Sequence, residues 1–116
     1  MPALRLLQLT DTHLFADPGG RLLGQNTRRT FELALEQARE NFWPVDRILL
    51  TGDLVHDESV DGYRFLAQRL TDLGVPCSGV PGNHDTVEPM KAIFGSGIVR
   101  IESSVVCGAW NLVFID

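Results

Sequence analysis

Side chains that can bind a cation or move a proton lie in three short polar segments of this chain. The segments TDTH, TGD and PGNHD carry Asp11, His13, Asp53, Asn83, His84 and Asp85. Each segment directly follows an apolar run that is typical of a buried strand. Mixed carboxylate, imidazole and amide oxygen ligands are typical of manganese, iron or zinc centres. They differ from the all-thiolate ligands of many structural zinc sites. The residue types therefore indicate a metal centre.

The carboxylates among these residues need a compensating positive charge if they meet in one place. Like charges in close proximity raise one another's pKa and destabilise a fold. A bound divalent cation removes that conflict. Taken singly, the Asp-Thr-His and Gly-Asp sequences are also ordinary turn sequences. The prediction of a metal site therefore depends on the joint placement of the segments after three strands.

Neighbouring polar residues are interpreted differently. His56 and Asp57 follow Asp53 closely, and we predict that they cap a helix or face solvent, with a role at the site as the alternative. Arg28 and Arg29 stand near the predicted N-terminus of a helix. They are interpreted as a solvated helix face, and a contact with a substrate phosphate is the alternative.

Three strands and two helices are predicted to position the polar segments. Apolar runs indicate strands at residues 4–9, 45–51 and 75–80. Right-handed crossovers between consecutive strands make the three strands parallel, with helices on the sheet faces. The carboxyl ends of parallel strands share one edge of the sheet, where open α/β proteins bind their ligands. We therefore expect the polar segments to meet at that edge.

Capping residues and apolar spacing define the two helices. Asn26 or Thr27 can cap the first helix, and Pro44 closes it. Ser59 can cap the second helix, and Gly74 ends it. The first helix carries apolar residues at helical spacing along one face: Phe31, Leu35, Ala38 and Phe42.

A short helix and a hairpin are predicted in the rest of the chain. Pro89 lies near the first turn of the helix, and Gly95 follows its end. From Ser103 onward, two apolar strands flank Gly108, which is the pattern of a β-hairpin. With 116 residues and 44% hydrophobic content, residues 1–116 are predicted to form a single α/β domain.

The overall charge restricts the partners. Fifteen acidic and ten basic residues give a net charge of -5, which argues against general nucleic-acid binding. No apolar stretch has the length needed to span a bilayer, and the N-terminus does not resemble a secretory signal. Cys77 and Cys107 are interpreted as reduced, buried side chains. A cytoplasmic protein without a membrane partner is the expectation.

The polar segments resemble the first signature blocks of a known enzyme family. Those blocks, in order, are Asp11-x-His13, Gly52-Asp53 and Gly82-Asn83-His84-Asp85. In this order and placement they resemble the calcineurin-like metallophosphoesterases. The run DTHLFADPGGRLLGQNTRRTFELAL is similar, more narrowly, to the bacterial class III cyclic-AMP phosphodiesterases. The resemblance implies the N-terminal half of an αββα sandwich, with a mostly parallel sheet flanked by helices and a terminal β-hairpin.

The same resemblance implies two divalent metal ions, most typically manganese or iron and alternatively zinc. Asp11 and His13 would bind the first ion. Asp53 would bridge both ions, and Asn83 would bind the second through its amide oxygen. Two such ions share a hydroxide and hold a phosphodiester for in-line attack.

Catalytic roles are implied for two further residues. His84 would face the scissile phosphate, where it stabilises the charge or protonates the leaving oxygen, and Asp85 would orient the imidazole. The implied substrate is cyclic AMP or a related small nucleotide phosphodiester, and the product is the 5′-monophosphate.

The chain departs from the family pattern in its histidines. His13, His56 and His84 are its only three, whereas the second half of the family fold supplies further histidine ligands and a closing Gly-His-x-His block. The domain is therefore expected to be truncated at its C-terminal end, with an exposed apolar sheet face or edge through which copies could associate. Two alternatives remain open: a non-catalytic fragment with an incomplete metal site, or a metallophosphoesterase with another substrate.

Overall fold

A computed structural model describes residues 3–80, 93–94, 98–102 and 104–114. Its helices and strands, in chain order, are β1 (Leu6–Leu9), β2 (Arg21–Leu22), β3 (Gln25–Asn26), α1 (Thr27–Asn41), β4 (Arg47–Leu50), α2 (Val60–Leu73), β5 (Cys77–Gly79), β6 (Val99–Ile101), β7 (Ser104–Cys107) and β8 (Trp110–Val113). The α/β class predicted from the sequence is confirmed.

The central sheet has four parallel strands in the order β1-β4-β5-β6. The three strands predicted from apolar runs are its first three members, each shorter than the run that indicated it. The fourth strand, β6, was not predicted. It is only three residues long and contains Arg100, so it has neither the length nor the continuous apolar character that marks a buried strand.

Helix α1 begins where the capping residues predict. The side chain of Asn26 accepts a hydrogen bond from the backbone N–H of Arg29 at 3.1 Å. Phe31 and Leu35 are buried at helical spacing, as expected. Phe42, predicted on the same apolar face, is instead the C-cap and is 61% exposed. The helix ends before Phe42, so its side chain no longer follows the helical face.

Helix α2 also confirms its predicted caps. Ser59 Oγ accepts a hydrogen bond from the N–H of Gly62 at 3.1 Å, and Gly74 ends the helix with a left-handed φ of 72°. An ion pair of 2.8 Å between Arg69 of α2 and Glu32 of α1 links the two helices. Within the described ranges, neither helix is long and apolar enough to cross a membrane.

The two sides of β4 have different surroundings. Ile48 and Leu50 are fully buried in the core shared with both helices. Arg47, which alternates with them, donates hydrogen bonds to Ser78 Oγ at 2.9 Å and to Cys107 Sγ at 3.1 Å. Strand β7 is therefore tied to the central sheet through a polar contact.

Both cysteines are free and buried, as predicted. Burial raises the pKa of the Cys77 thiol to about 12, although the charge of Arg47 opposes that effect. Cys77 is therefore a neutral, buried side chain at physiological pH.

The predicted hairpin is present as β7 and β8, which pair in an antiparallel ribbon. Gly108 occupies the turn with a φ of 59°. Three large apolar side chains of the ribbon are exposed: Val106 (72%), Trp110 (58%) and Val113 (65%). Association of copies through such a surface stays a prediction. The helix expected between Pro89 and Gly95 falls mainly on residues outside the described ranges.

Candidate metal centre

The loops that follow β1 and β4 run side by side, because backbone hydrogen bonds continue beyond the two strands. The N–H of Asp11 donates to the carbonyl oxygen of Gly52 at 2.9 Å, and the N–H of His13 donates to that of Asp53 at 3.0 Å. Leu14 then forms an isolated parallel bridge with the second loop. The candidate ligands are therefore held on a hydrogen-bonded backbone.

The candidate ligands share an uncommon backbone conformation. The φ angles are 55° at Asp11, 45° at His13 and 51° at Asp53, and 119° at the buried Gly52. Residues other than glycine rarely adopt positive φ, and such strain persists only where surrounding interactions enforce it. The hydrogen bonds between the two loops provide that enforcement. Three strained residues converging on one place are typical of a functional site.

The side chains of Asp11, His13 and Asp53 converge. One potential ligand atom from each lies within 4.8 Å of the others, and His13 Nε2 is 3.8 Å from Asp11 Oδ1. Thr10 Oγ1 donates to the other oxygen, Asp11 Oδ2, at 2.8 Å. Two carboxylates and one imidazole fit a divalent transition metal, because both O and N ligands are within reach of a single ion.

The centre is open on one side. The side chain of His13 is 17% exposed, whereas that of Asp11 is 58% exposed, and Asp53 is partly buried. A ligand could therefore approach from the side of Asp11. The remaining predicted site residues, Asn83, His84 and Asp85, lie outside the described ranges.

Comparison with known proteins agrees with this geometry. Residues 4–113 match the family described as calcineurin-like phosphoesterase. The chain belongs to this family.

Curated relatives of this phosphoesterase chain carry cyclic-nucleotide names. The chain is 36% identical over 114 residues to the 3′,5′-cyclic adenosine monophosphate phosphodiesterase CpdA of Escherichia coli (strain K12). The matched region covers 97% of this chain and 42% of the relative. It is 39% identical over 112 residues to CpdA of Pseudomonas aeruginosa, covering 96% and 40%. A 3′,5′-cyclic-nucleotide phosphodiesterase of a Nostoc species is 32% identical over 113 residues, covering 97% and 42%. The chain thus spans less than half the length of these relatives.

His56 of this phosphoesterase chain does not simply face solvent. It is partly buried, and its Nδ1 atom lies 3.0 Å from Nδ1 of His13. The ring centroids of the two histidines are 5.1 Å apart. The sequence could not reveal this contact, because the two residues lie in loops that only the sheet brings together.

Asp57, the next residue, does not cap α2 itself but binds Ser59, the residue that does. Its carboxylate accepts hydrogen bonds from Ser59 Oγ at 2.6 Å and from the N–H of Ala16 at 3.0 Å. Burial alone would raise the pKa of Asp57, but the hydrogen bonds from Ser59 and Ala16 hold that pKa below its usual value. Asp57 therefore connects the start of α2 to the loop after β1.

Arg28 of the phosphoesterase chain contradicts the first interpretation of it, a solvated helix face, whereas a contact with a substrate phosphate stays a prediction. Its guanidinium donates to the carbonyl oxygens of Phe15 at 3.3 Å and Ala16 at 3.0 Å. The same group lies 3.9 Å from the centroid of the Phe65 ring, a stacked cation-π arrangement. Arg28 is therefore not part of a solvated helix face, because it binds the loop after β1 to both helices.

Proposed function

We propose that this chain forms the metal-binding part of a metal-dependent phosphodiesterase that hydrolyses 3′,5′-cyclic AMP, or a related small phosphodiester, to the 5′-monophosphate. The observation that carries the proposal is the convergence of Asp11, His13 and Asp53 within 4.8 Å. The activities for which the relatives are named support the substrate class. Because the chain covers 42% of such a relative, the activity of the whole protein is part of the proposal.

The metal ligands are assigned as follows. Asp11 and His13 would hold a first divalent ion, Asp53 would serve both ions of a pair, and Asn83 would hold the second. Manganese or iron suits this mixture of carboxylate, imidazole and amide ligands, and zinc is the alternative. When bound, such ions supply a nucleophile at neutral pH and neutralise phosphate charge.

The protein's own residues contribute preorganisation and proton transfer. The backbone hydrogen bonds between the two loops hold Asp11 and Asp53 near each other before any ion binds, so the repulsion between their carboxylates is overcome on folding rather than on ion binding. Breaking the bond between phosphorus and the 3′ oxygen leaves an alkoxide that needs a proton. His84 supplies that proton or stabilises the charge, and Asp85 orients its ring.

A manganese titration tests the metal assignment. Asp53→Asn keeps the shape of the side chain and removes a negative charge, so it should weaken manganese binding at least about tenfold. Asp72→Asn, an exposed aspartate of α2, is the matched control and should bind like the wild type. Equal affinity in the wild type and Asp53→Asn would overturn the assignment.

A substrate panel tests the reaction. Cyclic AMP, cyclic GMP and a chromogenic phosphodiester would be assayed with manganese, using the full gene product. The proposal expects 5′-monophosphate from a cyclic nucleotide. Turnover of the chromogenic ester alone would favour a phosphoesterase with another substrate.

A second candidate is a weak metal binder that self-associates. The exposed Val106, Trp110 and Val113 of the hairpin favour it, because large exposed apolar patches mark association surfaces. Sedimentation of the 116-residue chain beside the manganese titration separates the two candidates. Oligomers without saturable manganese binding would support the second.

A further inference from the structure

The contact between His13 and His56 determines which nitrogen of His13 can bind a metal. Their Nδ1 atoms are 3.0 Å apart, so one of them must carry the proton and the other must accept it. The other nitrogen of His13, Nε2, points toward the candidate centre and lies 3.8 Å from Asp11 Oδ1. A ligand nitrogen must have a free lone pair, so metal binding through Nε2 requires the proton of His13 to be on Nδ1.

We propose that His56 is a positioning residue for the metal centre: it accepts a hydrogen bond from Nδ1–H of His13 and so keeps Nε2 of His13 available to the metal. This inference rests on the proposed metal site. His56 must then carry its own proton on Nε2, because its Nδ1 is the acceptor. A ligand histidine is commonly held in this way by an acceptor on its second nitrogen.

Two contacts hold His56 in place. Its backbone N–H donates to the carbonyl oxygen of Leu14 at 2.8 Å. Its ring lies 5.2 Å from the ring of Phe15, centroid to centroid. Both contacts come from the loop that carries His13. The acceptor therefore moves with the ligand that it orients.

Two substitutions of His56 separate hydrogen bonding from packing. His56→Gln retains an amide oxygen that can accept the proton of His13 Nδ1, whereas His56→Phe retains an aromatic ring without an acceptor. We expect manganese affinity to fall about tenfold or more in His56→Phe, which is the loss typical when a residue that hydrogen-bonds to a metal ligand is removed. In His56→Gln the affinity should stay within about threefold of wild type. The opposite order would show that ring packing matters, and it would overturn the proposal.

The tautomer of His13 gives a readout that needs no metal. Long-range nitrogen–proton NMR spectra of the metal-free protein should show His13 protonated on Nδ1 in the wild type and in His56→Gln. His56→Phe should show a mixture of tautomers or the Nε2–H form. An unchanged His13 tautomer in His56→Phe would overturn the proposal, whatever the metal does.

The Asp53→Asn titration separates this inference from the proposed function. Loss of manganese affinity in Asp53→Asn with wild-type behaviour in His56→Phe would leave the metal site standing and remove the role of His56. Unchanged affinity in Asp53→Asn would remove the metal assignment itself. Thermal unfolding of each variant identifies any loss of affinity that comes from misfolding. If His56→Phe does not fold, His56→Gln decides: a loss of the Nδ1–H tautomer of His13 in that variant would overturn the proposal.

Discussion

The backbone N–H of His13 donates to the carbonyl oxygen of Asp53 at 3.0 Å, so two candidate ligands from different loops share one hydrogen bond. Both residues have positive φ angles. The strain at each is sustained by the pairing of the loops. The positions of the candidate metal ligands therefore depend on the backbone conformation of the two loops. Substitutions that disturb this conformation should also weaken metal binding.

Asp53→Ala and His84→Ala should have different effects. Asp53 is assigned to both ions, so its removal should abolish manganese binding. His84 is assigned to the leaving oxygen, so His84→Ala should leave affinity nearly unchanged and lower kcat about 10²–10⁴-fold. Calorimetric titration and steady-state kinetics of both variants check this. Equal loss of metal affinity would contradict the roles.

Gly52→Ala should destabilise the protein and weaken manganese binding together. Gly52 is buried with a φ of 119°, a conformation that costs a residue with a Cβ about 1–3 kcal/mol. Urea unfolding measures the loss. Gly19→Ala, whose Cβ would make only ordinary contacts, the nearest at 3.5 Å, is the control and should change stability by less than about 0.5 kcal/mol.

Gly62→Ala should destabilise α2 although alanine is the better helix former. A Cβ at Gly62 would lie 2.5 Å from Cγ1 of Val55, which is fully buried. Overpacking of this kind costs about 1–3 kcal/mol, which exceeds the propensity gain of about 1 kcal/mol. A double-mutant cycle with Val55→Ala should recover part of the loss. Strictly additive effects would show that the clash is not the cause.

Asp57→Asn should change how stability depends on acid. Hydrogen bonds hold the pKa of Asp57 below its ordinary value of 3.8 in the folded protein. The charged form therefore stabilises the fold above about pH 4, and that contribution disappears as the pH falls through the lowered pKa. Asp57→Asn lacks the contribution at every pH, so its free energy of unfolding should decline less between pH 5 and 3.

Urea denaturation at a series of pH values measures this difference. Asp72→Asn, also an exposed aspartate, is the control and should follow the wild-type profile. A decline in Asp57→Asn as steep as that of the wild type would show that other carboxylates govern the acid response.

Local features of the fold were predictable from the sequence. The caps at Asn26, Ser59 and Gly74 depend on the residue itself and its close neighbours, so side-chain chemistry was enough to locate them. Strand β6 and the exposed Phe42 were not predicted correctly. Strand β6 depends on its pairing with β5, and the exposure of Phe42 depends on where α1 ends. A short stretch of sequence encodes neither.

One part of the candidate site was predictable from the sequence, and another part was not. The residue types after the first two strands indicated a metal centre, because ligand chemistry and strand order can both be recognised along the chain. The contact between His13 and His56, and the anchoring of Arg28 to the loop after β1, emerged only in three dimensions. The histidine contact joins loops that the parallel pairing of β1 and β4 brings together, and the Arg28 contacts join α1 to the preceding loop and to α2. Both arrangements depend on burial of the whole core rather than on any local pattern.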